Sequence, residues 1–383
     1  MFISSRLFLI IIIFLSCTNA IANPVIFPLP NNEVSSNQVV VVEGERLSDN
    51  KLAIEWLGGM NGNIESGDAD GLFQKEKWSP DSDNTGFHAP RYTNAKSHSG
   101  SKSIISQYPQ QSVWGSGFSY DHGAPFDEVY VTWWVYFEHF NSQGQWKKWR
   151  LSPTGDYRDA NGEIMQSDWY DPLGATLQTY VMILCDRLDY STCYPEGNVN
   201  YRWMEKTVPV GRWVRLELYA KQSSMASIPD GTLVYNMYTQ DNTVIQLKNY
   251  QDSVTTRLKE DEKWQYFQFQ NYWGNITGGD GTKEKIYIDD VYIQVGSGKS
   301  RIEIGDNKDW NLCKHREIQF PTKWSNSSIT FNVNRGSFNV GDTAYLFVVD
   351  VNGLPSVGQE IKFADDLQCE GVEAPGSISI ETF

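Results

Sequence analysis

Cysteine, basic residues and long apolar runs are all scarce in this 383-residue sequence, and each shortage excludes something. There are 5 cysteines and they form no CxxC or Cys/His motif, so thiol-based zinc and redox chemistry are not indicated. Lysine and arginine number 32 against 47 aspartates and glutamates, a formal charge of −15, which excludes nucleic-acid binding through the overall field. After the first 22 residues no apolar run approaches the length of a membrane span. Leucine and alanine are sparse, and no amphipathic helix of three turns can be traced. Residues 251–263 offer at most a short helical or irregular excursion.

What is present begins with an export signal. Arg6, the apolar run from Leu7 to Leu15 and the small-residue site Ala20-Ile21-Ala22 read as a signal peptide over residues 1–22, cleaved before Asn23. The expected location is secreted, periplasmic or at the cell surface. Cys17 leaves a lipid-anchored alternative, ranked second because Phe14 fits that pattern badly. In an oxidising compartment the remaining four cysteines are expected to pair, and proximity favours Cys185 with Cys193 and Cys313 with Cys369. Residues 23–50, rich in Pro, Asn and Ser with one β-branched run at Val39 to Val42, read as an extended lead-in. Asn275-Ile276-Thr277 and Asn326-Ser327-Ser328 fit the N-glycosylation pattern.

The sequence is rich in aromatic residues, with 14 Trp, 20 Tyr and 18 Phe, and over residues 51–298 they fall in period-2 alternation broken by Gly/Asp/Asn/Ser turns. Val131, Trp133, Val135 and Phe137 alternate with Tyr130, Thr132, Trp134 and Tyr136. Leu177 and Val181 oppose Gln178 and Tyr180; Val214, Leu216, Leu218 and Ala220 oppose Arg215, Glu217 and Tyr219; Phe267 and Phe269 oppose Tyr266, Gln268, Gln270 and Tyr272. The first set of each pair reads as core. The second repeats Tyr, Trp, Gln and Arg, which suits sugar rings and hydroxyls, although cross-strand packing on a half-solvated sheet gives the same pattern. Trp146-Lys147-Lys148-Trp149-Arg150 adds a basic aromatic segment that suits a uronate or sulfate and equally suits a solvated edge strand.

The run Val129 to Phe137, then Gly211 to Lys221, Asp230-Gly231-Thr232-Leu233 and Ile286 to Ile293 resemble, in that order, the concanavalin A-like jelly rolls, closest to their alginate, glucuronan and heparin lyase branch. The resemblance implies an all-β antiparallel sandwich whose concave sheet holds a polysaccharide. Residues 301–370, with shorter strands and Gly-rich turns, look like a small immunoglobulin-like accessory sandwich, followed by a tail over 371–383. On the lyase template, Trp134, Tyr136, Lys147, Arg150, Gln178, Arg215, Gln268 and Gln270 would bind substrate. Tyr180, Tyr219, Tyr272 and His122 would move protons in a β-elimination. No cofactor is required, and a structural calcium at Asp289 and Asp290 is implied by the family's habit near its last strand. The expected partner is a polysaccharide, anionic if the lyase reading holds. A laminarinase-type carboxylate pair is missing, since Glu217 stands alone among the groove candidates. A non-catalytic glycan-binding or adhesion module and a glycoside hydrolase with an unrecognised carboxylate pair therefore stay open beside the lyase.

Overall fold

A computed structural model describes residues 23–58, 64–80, 89–108, 117–139, 143–153, 163–171, 176–184, 202–204, 210–239, 244–257, 260–261, 263–277 and 284–365. The expected Cys185–Cys193 pair, Cys369 and the signal segment lie outside these residues. The described chain is all β. Its one helical element is a single 3-10 turn at Trp310–Leu312, and none of its helices is long and apolar enough to cross a membrane. The excursion expected over 251–263 begins instead as the end of the strand Val244–Val254.

Two antiparallel sheets form a jelly-roll sandwich. One has seven strands in the order Arg202–Met204, Thr176–Leu184, Glu163–Asp171, Gln143–Ser152, Trp264–Thr277, Phe118–Phe126, Trp78–Pro80. The other runs Val244–Val254, Gly231–Tyr238, Trp213–Lys221, Glu128–His139, Glu284–Val295, Ser103–Tyr108, Arg91–Thr93, with Ile54–Leu57 also paired to Glu284–Val295. Because side chains alternate across a strand, one apolar set from each sheet meets in the middle. Val131, Trp133, Val135, Phe137, Leu216 and Leu218 come from the eight-stranded sheet, and Trp149, Leu151, Phe267 and Phe269 from the seven-stranded one, all essentially inaccessible. Trp133 meets Phe269 edge-on at 5.4 Å, and Trp149 stacks on Phe267 at 6.3 Å. The aromatic surplus of the sequence is therefore largely a core, with each such ring pair worth about 0.5–1.5 kcal/mol beyond its burial.

A third sheet follows the strand order Val25–Ile26, Val39–Glu45, Ser328–Asn332, Arg316–Trp324, Arg301–Gly305, Thr343–Val349, Gln359–Phe363, Glu33–Val34. Residues 23–50 are thus no free lead-in. Val42 pairs with Ile329 and Val40 with Phe331, and all four are buried with Ile302, Leu346 and Phe363 in one apolar cluster. The β-branched run of Val39 to Val42 is what a strand in such a sheet needs. No disulfide occurs among the described residues. Cys313 keeps a buried free thiol that donates to the Asn307 carbonyl at 3.2 Å, and burial pushes its pKa up to about 11. Its expected partner Cys369 lies outside the described residues, and the N-terminal strands enlarge this core.

Candidate functional site

The residues expected to line one surface fall on two different sheets. Trp149, Leu151, Phe267 and Phe269 point into the core, so Arg150 and Gln268 belong to the outer face of the seven-stranded sheet, where they are direct cross-strand partners. Their row continues through Met165 and Met182 on one side and Ser119 on the other. A second row joins Tyr180, Ser167, Lys147 and Tyr272 across four adjacent strands. The register shift between Lys147 and Trp149 inserts one extra residue, which keeps position 147 on the same face as Arg150 instead of turning it inward. Gln178 pairs with Trp169 one row further along, and Gln270 sits where the register of Trp264–Thr277 shifts. For Lys147, Gln178, Tyr180, Gln270 and Tyr272 the described structure is that of the backbone. Arg150 and Gln268 are almost wholly buried although they face outward.

Trp134, Tyr136, Arg215 and Tyr219 lie on the eight-stranded sheet, whose outer face is covered by the third sheet. They are not part of the rows above. Arg215 is 3% exposed; its Nη2 meets Glu303 at 2.5 Å and its Nε donates to Thr132 Oγ1 at 2.8 Å. Glu303 also receives Arg301 at 3.1 Å, Arg316 at 3.2 Å and the Trp310 indole N–H at 2.7 Å. Burial alone raises the pKa of Glu303, but Arg301, Arg215 and Arg316 outweigh it and hold the carboxyl well below the usual range. Glu217 accepts from the Tyr130 hydroxyl at 2.6 Å and is likewise lowered, against burial, by Arg301 and Arg215. This is a buried ion cluster with every charge engaged, so Arg215 is a junction residue and not a uronate ligand. Tyr219 donates to Glu128 at 2.6 Å, and burial plus that bond drive its pKa upward, the opposite of what a proton shuttle needs. Trp134 stacks on His98 at 3.9 Å, and Tyr136 packs edge-on against Trp213 and Tyr287. Alternation separates two faces of a strand but cannot tell solvent from a further sheet, which is why these four read as groove residues.

His122 is also misplaced by sequence reasoning. It lies two positions beyond the core residue Tyr120, bonds that hydroxyl through Nδ1 at 3.1 Å and packs edge-on against Phe126. Burial and Lys77 lower its pKa against the nearby Asp121, and its contacts are those of a packing partner. Asp289 and Asp290 are fully buried, and their oxygens accept from protein donors: His98 N at 2.7 Å, Ser99 N at 3.3 Å, Asp290 N at 2.8 Å, His98 Nδ1 at 2.7 Å and Ser99 Oγ at 2.6 Å. Burial and the Asp290 charge push Asp289 well above the carboxylate range. Calcium takes six to eight oxygen ligands, and a pair of carboxylates wrapped in N–H and O–H donors does not fit it. Sequence reasoning missed His98, Glu303, His315 and Glu317, which gather around a cavity of about 140 Å3 bordered by Trp134, Trp213, Arg215 and Arg316 or stand just behind it. His315 and Glu317 share a local i, i+2 spacing, but His98 comes from a distant segment and nothing local links it to them.

No protein-family model matches the chain, and no curated protein matches it by sequence. Among solved structures it is similar to a marine PL-14 alginate lyase from Aplysia kurodai, at 13% identity and TM-score 0.38 over 54% of this chain and 87% of that one. It is also similar to a GH16 protein from Bacteroides ovatus solved with a mixed-linkage glucan product, at 11% identity and TM-score 0.35 over 60% and 98%. A third is an alginate lyase from Pseudomonas aeruginosa, at 9% identity and TM-score 0.32 over 54% and 86%. At these TM-scores the jelly-roll assignment rests on the strand pairing itself, and the site on its own geometry.

Proposed function

We propose that this chain is an exported carbohydrate-active protein that lays a uronate-containing polysaccharide across the outer face of the seven-stranded sheet and cleaves it by β-elimination. The observation that carries the reading is the pair of adjacent rows, Tyr180–Ser167–Lys147–Tyr272 and Met182–Met165–Arg150–Gln268–Ser119. Elimination needs three functions within one sugar's reach. A group must offset the uronate charge, a base must take the C5 proton, and an acid must protonate the departing O4 as the C4–O4 bond breaks and the C4=C5 double bond forms. Arg150 with Gln268, and Gln178 and Gln270 beside them, suit the first function. Tyr180, Tyr272 and Lys147 suit the other two.

Hydrolysis by a retaining or inverting scheme calls for two carboxyls roughly 5–9.5 Å apart. On the strand Glu163–Asp171 the two end carboxylates share the outer face but stand at opposite ends of nine residues, roughly 26 Å apart at the usual rise. That pair is too far apart for either scheme. The test is to incubate the protein with alginate, glucuronan, pectin and glycosaminoglycans and follow absorbance of the unsaturated uronate. Growth of that absorbance on at least one substrate supports the proposal. New reducing ends without it would mean hydrolysis, and saturable binding with neither would mean a glycan-binding module.

A further inference from the structure

We propose that His98, His315 and Glu317 hold one divalent transition-metal ion, of the zinc class, at the junction between the jelly roll and the third sheet, with Asp290 orienting His98 from behind. Both imidazoles turn Nε2 toward one carboxylate: His315 Nε2 lies 2.7 Å and His98 Nε2 lies 3.7 Å from Glu317 Oε1. Ligands bound to zinc at 2.0–2.2 Å in a tetrahedron stand roughly 3.4 Å from one another, and the two imidazole–carboxylate separations lie on either side of that value. The second nitrogen of His98 is taken by Asp290 Oδ2 at 2.7 Å. That is the carboxylate–imidazole pairing that fixes the tautomer of a metal-binding histidine and leaves Nε2 for the ion. Donor atoms of His98, Asp290 and Glu317 all lie within 4.8 Å of one another, a set that His315 joins only through its 2.7 Å approach to Glu317.

A second, independent observation points to a cation. Glu317 is completely buried, and its Oε2 has no hydrogen-bond partner. Buried carboxylate oxygens are costly when unsatisfied, and a cation held by both oxygens of Glu317 would satisfy this one. The backbone is shaped around this carboxylate. Gly336 has φ +56°, and a Cβ there would fall 2.1 Å from Glu317 Cδ, so only glycine leaves the side chain its place. His98 and His315 line the same cavity of about 140 Å3, which has room for a water as fourth ligand. Ser337 Oγ, 3.0 Å from the same His315 nitrogen, is displaced when the metal binds. Two imidazoles and one carboxylate suit zinc and its first-row neighbours, whereas calcium and magnesium prefer oxygen alone. The ion would tie the segment before Ser103–Tyr108 to the strand Arg316–Trp324, and so join the jelly roll to the third sheet.

The experiment strips the full chain with a chelator and titrates it with zinc by calorimetry, with metal content measured after gel filtration. One zinc per chain is expected. Glu317→Gln and His98→Ala should each weaken binding at least 100-fold, and Asp290→Asn by about 10–100-fold, while His122→Ala binds as the parent does. Less than one equivalent bound by the parent, or an unchanged affinity in Glu317→Gln, overturns the proposal and leaves His98 as a plain ion-pair partner of Asp290 and Glu317. Should the variants fail to fold, cobalt(II) loaded into the unaltered chain decides. Intense visible bands of a four-coordinate site are expected, and the weak bands of the hydrated ion overturn it.

Discussion

A tyrosine that transfers a proton and one that stacks differ by a hydroxyl, so Tyr→Phe is the informative change on the seven-stranded face. Tyr272→Phe or Tyr180→Phe should lower turnover by about 10² to 10⁴ while leaving glycan affinity within a few-fold, checked by initial rates and equilibrium binding on the same substrate. Loss of binding alone would make the ring a platform and not an acid or base. Core residues behave differently. Trp133, 1% exposed and in contact with Phe267 and Phe269, should cost about 3–5 kcal/mol on change to alanine, read from denaturant midpoints. Single residues were legible in the sequence wherever alternation had an apolar partner: the inward set Val131, Trp133, Leu216, Leu218, Phe267 and Phe269 is the core. His122 was not legible, because a histidine beside glycine in a turn-like segment reads as loop, whereas it belongs to the strand Phe118–Phe126, at the point where its register shifts.

At the scale of elements, the strand Trp213–Lys221 shows where pattern reading stops. Its inward face was legible, but its outward face carries Arg215 and Glu217 into a buried network with Glu303, Arg301 and Arg316. Strands that bury both faces normally read as continuous apolar runs; here paired charges substitute for apolar side chains, so the sequence keeps the look of a solvated face. Removing one partner leaves the others buried without compensation, so Arg215→Ala should destabilise the chain by about 3–5 kcal/mol. Arg215→Met removes the same charge but fills the volume, so it is expected to lose less stability than the alanine variant and, where folded, to retain glycan affinity. Thermal unfolding and equilibrium binding on the two variants check this. A specific loss of affinity in a folded Arg215→Met protein would return this residue to the binding face.

In the molecule as a whole, the third sheet meets the jelly-roll sheet that carries Arg215 through that ion network, and pH should act on their junction. Glu303 and Glu217 have folded pKa values depressed below the ordinary 4.5, so their contribution is fully present above about that pH and fades as pH falls through the lower, folded values. Acid unfolding followed by tryptophan fluorescence should therefore steepen below pH 4.5, and Glu303→Gln should be less stable at neutral pH and flatten that slope. The jelly-roll architecture was legible from the order of motifs. The join was not, since Val39–Glu45 and Ser328–Asn332 are nearly three hundred residues apart and nothing local announces that they pair. The central claim is that polysaccharide is processed on the outer face of the seven-stranded sheet and not against the eight-stranded one. The most direct test is the initial rate of unsaturated-uronate formation by Arg150→Ala and by Arg215→Met, both verified as folded, on a substrate the parent cleaves. Arg150→Ala should fall at least tenfold with Arg215→Met near the parent rate; the reverse order would place the substrate against the other sheet.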